Sequence, residues 1–266
     1  MNVLRHNVRI YRRLLGTHLR AALQYESDFM ILVGAAMLTQ VVGVVFLGAI
    51  FARIPHLHGW SFWEVVLIFA MVTVGEGVGS LFFEGAWHLA WKINHGDLDY
   101  LLVRPYPVIL QALGANIGLN GVGNLVTGGI LIGLALSRVD ITWTPLVGLL
   151  AIGLFLSAIL LRLAISVATN AASFWLAGPY SVFAFAMHQV GDLARYPITI
   201  YAVGVRLAIG VVIPFAFASF FPVAVLLGRG DAAWLGLLTP AVALYCVVIA
   251  VVVFRRGLRR YESAGN

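Results

Sequence analysis

The stretch from Phe29 to Ala52, FMILVGAAMLTQVVGVVFLGAIFA, decides the class of this protein because it has no charged residue across 24 positions. As an α-helix it would be about 36 Å long, enough to cross the roughly 30 Å hydrocarbon core of a bilayer. Of the 266 residues, 61% are apolar and only 11% are charged, and the mean hydropathy is +0.96. A soluble domain has about 25% charged residues. The composition therefore excludes a soluble globular protein and a disordered one, and it predicts an all-α integral membrane protein.

Six transmembrane helices are predicted from the apolar runs and from the charge at the two ends of the chain. The predicted spans are residues 29–52, 61–83, 109–136, 146–168, 171–190 and 233–254. A seventh apolar run, 198–227, is interrupted by Arg206, Pro214 and Pro222, and we expect it to form an extracellular re-entrant helical hairpin. Arginines cluster before the first span and after the last one, so the positive-inside rule places both termini in the cytoplasm and favours an even number of crossings.

The chain divides into three parts. Residues 1–28 have apolar side chains at spacings of three and four with arginines mostly elsewhere around the helix, which predicts an amphipathic interfacial helix on the cytoplasmic surface. Residues 29–254 form the transmembrane domain, and residues 255–266 form a cytoplasmic tail. No metal site is predicted, because Cys246 is the single cysteine and no group of histidines has the spacing of a metal site.

Residues 84–108, EGAWHLAWKINHGDLDYLLVRPYPV, form the longest polar-rich interval inside the chain. Trp87 and Trp91 lie four positions apart on one face of a short predicted helix, and Gly96 permits a sharp turn after it. By composition the interval is either a polar loop with an interfacial aromatic belt or a short cytoplasmic helix that docks into a soluble partner.

The run from Gly96 to Pro105, GDLDYLLVRP, resembles the first cytoplasmic loop of the permease subunits of ABC-2-type ATP-binding cassette exporters, in their six-span bacterial group. The resemblance extends over nearly the whole chain. It implies that about 84–94 form a coupling helix that contacts a separate ATPase, and that 96–105 form its exit turn, so the predicted coupling helix and loop together take about 84–105. The ATPase-coupling residues it implies are Trp87, His88, Trp91, Lys92, Gly96, Asp97, Asp99, Arg104 and Pro105.

The resemblance implies a permease subunit in the bacterial cytoplasmic membrane that exports an amphipathic or lipid-like substrate. The chain has no P-loop, because its one lysine, Lys92, is followed by Ile93 and not by Ser or Thr. We therefore expect no enzymatic activity and no cofactor in this chain, with ATP and Mg²⁺ bound by a partner ATPase dimer. A second permease subunit, identical or homologous, and membrane lipid are the other expected partners, and nucleic acid is not expected.

Polar side chains inside the predicted spans mark a candidate translocation path. Glu76 is the one carboxylate deep in a span, which makes it a candidate functional residue. The structural alternative is that Glu76 is paired with an Asn or Arg of a neighbouring helix, or that it is protonated. Asn116, Asn120 and Asn124 recur every four residues and predict an amide stripe that faces a partner helix or the path. Glycines spaced four apart in the second and third spans predict close helix packing.

Four other polar residues receive structural interpretations. Arg162 is expected to snorkel to the inner end of the fourth span. Glu64 is interpreted as interfacial. His188 and Asp192 are interpreted as a cap at the outer end of the fifth span.

Two other functions stay open at this stage. A secondary transporter that uses Glu76 as a proton or cation relay would act without an ATPase. A membrane-embedded lipid-modifying enzyme would need a convergent set of nucleophile, acid or metal-binding residues, and the scattered His and Asp residues do not form a recognisable one.

Overall fold

A computed structural model describes residues 3–176 and 182–262, and within these ranges the regular secondary structure is helical, with one isolated bridge between Leu57 and Trp60. The α-helices are α1 (Val3–Ala22), α2 (Glu26–Phe51), α3 (Phe62–Phe83), α4 (Leu89–Asn94), α5 (Leu98–Leu102), α6 (Val108–Leu113), α7 (Asn120–Leu136), α8 (Pro145–Ala171), α9 (Val182–Asp192), α10 (Val203–Leu207), α11 (Phe220–Leu226), α12 (Gly230–Gly236) and α13 (Thr239–Arg260). Short 3-10 turns are Glu84–Ala86, Ala172–Phe174, Leu193–Arg195, Ile198–Ile200 and Phe215–Ala218, and Ala208–Val212 is a π-helical turn.

Four helical segments of the described residues are long and apolar enough to cross a membrane: Glu26–Phe51, Phe62–Asn94, Pro145–Phe174 and Thr239–Arg260. With 17 residues, α7 is about 26 Å long, slightly less than the hydrocarbon core. The protein is therefore a multi-pass membrane protein, and the count of six crossings stays a prediction.

The helix α3 lies at the centre of the bundle. Every residue from Glu64 to Gly75 is buried, as expected for a helix that is apolar all round and covered by other helices. It packs along α7, which also packs along α2, while α8 packs along α13. The bundle thus contains two packed groups, α2–α3–α7 and α8–α13, with α3 also in contact with α8. In contrast to α3, α2 exposes apolar side chains such as Leu38, as a helix in contact with lipid would.

The close contact between α3 and α7 depends on glycines that the four-residue spacing did not predict. A Cβ atom on Gly121 would lie 2.7 Å from the carbonyl oxygen of Gly77, so only glycine allows this approach. Gly79, Gly129 and Gly133 belong to the predicted glycine pairs, yet a Cβ atom on each would have no heavy atom within 4 Å. The prediction from spacing was wrong for these three residues.

The predicted third span, 109–136, is broken between α6 and α7. Residues 114–119 lie outside both helices, and the amide of Gly118 donates to the carbonyl of Ser80 at 2.9 Å instead of continuing a helix. Asn116 is in this break, so the predicted stripe of three amides on one helix was wrong. Only Asn120 and Asn124 share a helix, because the backbone finds hydrogen-bond partners on α3 at this point.

Between α8 and α13 the chain contains shorter helices than the predicted spans. Within the predicted fifth span, residues 177–181 lie outside the described residues, and the 11-residue α9 follows them. In 198–227 the longest apolar helical run, Val203–Val212, has 10 residues and is about 15 Å long, too short for a straight crossing. The final helix begins at Thr239 and continues to Arg260, past the predicted end at 254, with Arg259 and Arg260 in its last turn, where cations are favourable.

Both arginine-rich segments lie at the same end of the bundle, which we call the basic end. The Tyr11 hydroxyl of α1 donates to the carbonyl of Phe82, and its ring stacks on Phe83 at the end of α3. Tyr261, directly after α13, packs edge-on against Phe174 in the 3-10 turn that follows α8. The burial that these contacts impose raises the pKa of the Tyr11 hydroxyl.

Candidate functional site

A cavity of about 240 Å³ lies between α3, α7, α8 and α9 and reaches the segment that follows α3 at the basic end. Its polar lining consists of Glu76, Ser80, Glu84, Asn120, Asn124, Arg162, Ser166, Thr169, Asn170 and His188. Phe83, Trp87, Met187 and Phe215 contribute apolar and aromatic surface. Three of the four residues predicted for the translocation path therefore meet at one cavity, and Asn116 is the exception.

Glu76 is paired with arginines from two other parts of the chain. Its Oε1 accepts from Nη2 of Arg162 on α8 at 2.5 Å, and its Oε2 accepts from Nη2 of Arg195 at 2.6 Å. All three side chains are largely buried, so the negative charge needs this compensation. Arg162 thus turns into the bundle and does not snorkel to its end, and it passes Gly75, where a Cβ would lie 3.5 Å from its Cδ.

Arg195 connects Glu76 to a second set of polar groups inside the bundle. Its Nη1 donates to Oε1 of Gln40 on α2 at 3.2 Å, and its Nε donates to Asp192 at 3.2 Å. Gln40 in turn donates to Oδ1 of Asn124 on α7 at 3.0 Å, a buried contact between two helices. Sequence reasoning missed both Gln40 and Arg195. Gln40 could have been found as the one amide side chain within an otherwise apolar span, whereas Arg195 carries no comparable signal.

The segment 84–94 begins with a 3-10 turn, Glu84–Ala86, and continues into α4. Leu89, Ala90 and Ile93 are buried against the bundle, where α4 packs on α8. Trp87 and Trp91 have exposed fractions of 38% and 49%, so this segment presents aromatic surface at the basic end. The Trp91 ring stacks on His95, with ring centroids 4.1 Å apart.

The turn that follows α4 contains the remaining predicted coupling residues. Gly96 has a φ of +79°, a conformation that favours glycine, and this agrees with its predicted role in a sharp turn. Leu98 and Leu101 are buried and anchor α5. His88, Lys92, Asp97 and Asp99 are partly exposed around this turn, and Arg104 and Pro105 are exposed beyond it.

Trp87 belongs both to the predicted coupling segment and to the cavity wall. Its ring meets the ring of His188 edge-on, with centroids 4.6 Å apart. The interpretation of His188 and Asp192 as an outer cap is therefore wrong. His188 faces the cavity together with a residue of the basic end, and Asp192 pairs with Arg195.

A family model described as "ABC-2 family transporter protein" matches residues 37–265. The chain belongs to this family. The match covers the cavity, the segment 84–94 and the turn at Gly96, so it confirms the predicted resemblance and a permease role in a membrane. Comparisons with curated proteins and with solved structures give no match.

At the other end of this ABC-2 transporter protein, Glu64 is buried and joins three parts of the chain. Its Oε2 accepts from the backbone amide of Ser61 at 2.7 Å, which caps α3, and its Oε1 accepts from Nε of Arg229 at 3.2 Å. Arg229 also lies over the Trp60 ring, 5.3 Å from its centroid. The interfacial interpretation of Glu64 missed this link between the start of α3 and the turn after α11.

Glu76, His188 and Asp192 bring three possible metal-ligand atoms within 4.8 Å of one another in the ABC-2 transporter protein. Two guanidinium groups already compensate the carboxylates. Arg162 and Arg195 both pair with Glu76, and Arg195 also pairs with Asp192. A divalent cation placed there would meet these positive charges at short distance, so the arrangement favours an ion-pair network over a metal site.

Proposed function

We propose that this protein is the transmembrane permease subunit of an ABC-2-type exporter and that its 240 Å³ cavity is part of the substrate path. Trp87 is the observation that carries the proposal, because one residue of the predicted coupling segment forms part of the cavity wall. A movement of this segment would therefore change the shape of the cavity directly.

The energy comes from a separate ATPase that docks at the basic end. The exposed rings of Trp87 and Trp91 give this end an aromatic contact surface at the start of α4, which is anchored by its buried Leu89 and Ile93 side chains. The arginines of α1 and of the end of α13 favour a cytoplasmic position of this end by the positive-inside rule. ATP and Mg²⁺ bind to the ATPase dimer, and each ATPase subunit contacts one of two permease subunits.

Transport then requires two arrangements of the bundle with different affinity for substrate. The cavity lies where α3 and α7 face α8 and α9, so a relative displacement of the two packed groups opens or closes it. The ion pairs of Glu76 cross the same boundary, and such a displacement has to break or re-form them.

The alternative of a secondary transporter is less well supported by the site. A proton relay at Glu76 requires a carboxylate that gains and loses a proton, whereas both of its oxygens accept hydrogen bonds from arginines.

Co-purification from the native membrane in mild detergent tests the proposal. We expect a tagged wild-type chain to retain an ATPase subunit that hydrolyses nucleotide. The double variant Trp91→Ala, Lys92→Ala should retain less than a tenth of the amount of this ATPase subunit. Trp143→Ala is the matched control, because Trp143 has an exposed fraction of 50%, close to that of Trp91, but lies in the loop before α8 at the other end. The proposal would be contradicted if the folded wild-type chain retained no ATPase, or if the double variant and Trp143→Ala lost equal amounts of it.

A further inference from the structure

The charges that line the cavity do not balance. Glu76 is compensated by Arg162 and by the adjacent Arg195, which also holds Asp192. Glu84 is the second carboxylate of the lining, and among the described residues its ion-pair contact is His88, with Nε2 3.7 Å from Oε1. No lysine or arginine of the described residues pairs with it. The cavity therefore has one carboxylate in excess over its permanent cations.

This carboxylate and an amide oxygen lie close together beside Gly118. A Cβ atom built on Gly118 would lie 2.8 Å from Oε2 of Glu84 and 2.7 Å from Oδ1 of Asn120. Both oxygens thus pack against the backbone of Gly118, where a side chain would displace them. Two hydrogen-bond acceptors this close together, one of them a carboxylate, favour a positively charged group or a donor beside them, and they repel an anion.

The third component is the aromatic ring of Trp87, three residues after Glu84 on the same wall. Tryptophan is the aromatic side chain that attracts cations most strongly, and quaternary ammonium groups are recognised by such rings together with carboxylates. The edge-on contact with His188 holds the Trp87 ring at the cavity.

The geometry points to a binding site for the head group of a cationic amphiphile, an organic amine or quaternary ammonium, formed by Glu84, Asn120 and Trp87. This inference rests on the proposed function of the cavity as part of the substrate path. The two residues that supply the charge and the ring are in the predicted coupling segment, 84–94. A bound cation is thus in direct contact with the segment that the ATPase is proposed to move.

Binding of phenyltrimethylammonium to the purified full chain tests this site. The chain is placed in nanodiscs of zwitterionic lipid, so that the membrane surface adds no net charge, and bound ligand is measured by equilibrium dialysis against empty nanodiscs. Benzenesulfonate serves as the anionic probe of similar size. We expect saturable binding of the cation, at least tenfold weaker binding of the anion, and about tenfold weaker binding of the cation to a Glu84→Gln variant, since contacts with a charged partner are the stronger ones.

Gly118→Ala is the second variant, and it keeps the carboxylate but displaces Oε2 of Glu84 and Oδ1 of Asn120 from their positions. It should weaken cation binding as Glu84→Gln does, while Glu26→Gln, a change at an exposed carboxylate at the start of α2, should not. Thermal melting of each variant shows whether it is folded. Equal binding of cation and anion, or unchanged cation binding in both cavity variants, would overturn the inference.

The test of the cation site can fail without contradicting the proposed function, and the test of the proposed function can fail without contradicting the cation site. Glu84→Gln and Gly118→Ala leave the exposed ring of Trp91 in place, so both should still co-purify with the ATPase. If the ATPase is retained and the cation does not bind, only the substrate class is wrong. If the cation binds saturably and no ATPase is associated with the wild-type chain, the exporter mechanism is wrong and the cation site is supported.

Discussion

Nη2 of Arg162 lies 2.5 Å from Oε1 of Glu76, although the two residues are 86 positions apart in the chain. The contact joins α8 to α3 next to the cavity, and Arg195 binds the other carboxylate oxygen from the turn after α9. One carboxylate thus connects three parts of the bundle, and the stability of their arrangement should depend on it.

Replacement of Glu76 by glutamine should destabilise the protein because it leaves two buried guanidinium groups without a counter-charge. Breaking a buried ion pair in this way costs about 3–5 kcal/mol. The double variant Glu76→Gln, Arg162→Met should regain part of this loss, since Arg195 keeps Asp192 and Gln40 as partners. Thermal unfolding of the full chain in detergent measures both, with the exposed Asp140→Asn as control. A double variant less stable than the single one would contradict this explanation.

Alanine at position 121 should destabilise the protein, whereas alanine at position 129, farther along α7, should not. The alanine Cβ at 121 would lie 2.7 Å from the Gly77 carbonyl oxygen and 2.9 Å from the Leu81 amide nitrogen, so the backbones of α3 and α7 have to separate. Overpacking of this kind costs about 1–3 kcal/mol. At 129 the methyl group meets no heavy atom within 4 Å, and alanine is the better helix former.

The same unfolding measurement compares Gly121→Ala with Gly129→Ala. Gly121→Ala should have a clearly lower Tm, and Gly129→Ala should equal or exceed the wild type. Similar Tm values for the two variants would show that α3 and α7 are not in close contact in the membrane protein.

Loss of the Arg229 side chain should loosen the segment 220–236 without unfolding the bundle. Arg229 binds Glu64 and lies over Trp60, and these contacts attach α11 and α12 to the start of α3. Hydrogen exchange of the Arg229→Ala variant should be faster within this segment, whereas the core of α3 should be unchanged.

Arg206→Ala is the control for this experiment, because the Arg206 guanidinium bonds to the carbonyl of Thr199 on its own segment. It should leave exchange in 220–236 as in the wild type. Faster exchange over the whole chain in Arg229→Ala would indicate a general loss of stability and would refute a local attachment.

Tyr261 should make the stability of the folded protein depend on pH in the alkaline range. Burial, together with the nearby charges of Asp99 and Asp97, raises its pKa to about 12, compared with about 10 for an unperturbed tyrosine. Because the folded state favours the protonated hydroxyl, the resulting stabilisation is complete below about pH 10 and is lost as the pH rises towards 12. Tyr261→Phe should lose less stability than the wild type between pH 10 and 12.

Tyrosinate absorbance measures the effect directly. The difference between the titrations of the wild type and of Tyr261→Phe should have its midpoint near pH 12. A midpoint near 10 would mean that Tyr261 is not held against Phe174 and the turn that contains Asp99.

Local patterns in the sequence were sufficient to predict several features of the fold and site. The absence of charge between Phe29 and Ala52 predicted α2, and Gly96 was predicted in a sharp turn and has a positive φ. The run GDLDYLLVRP indicated the family that the match over residues 37–265 confirms. These predictions succeed because hydrophobic length, turn conformation and a contiguous motif depend only on neighbouring residues.

The contacts between helices could not be predicted in the same way. Arg195 and Gln40 are 155 positions apart, and nothing near either residue indicates that they meet. The break at 114–119 arises because Gly118 finds a backbone partner at Ser80, a choice that depends on where α3 lies.

By itself, the sequence determined that the chain is a helical membrane protein, where its most apolar helices lie and which family it belongs to. Only the tertiary structure decided which polar side chains share the cavity, which glycines allow close packing and how Glu76 is compensated. The physical reason is that lipid is as apolar as the side chains that face it, so hydrophobicity alone does not determine how each helix is rotated. Packing and hydrogen bonds between distant residues determine that rotation.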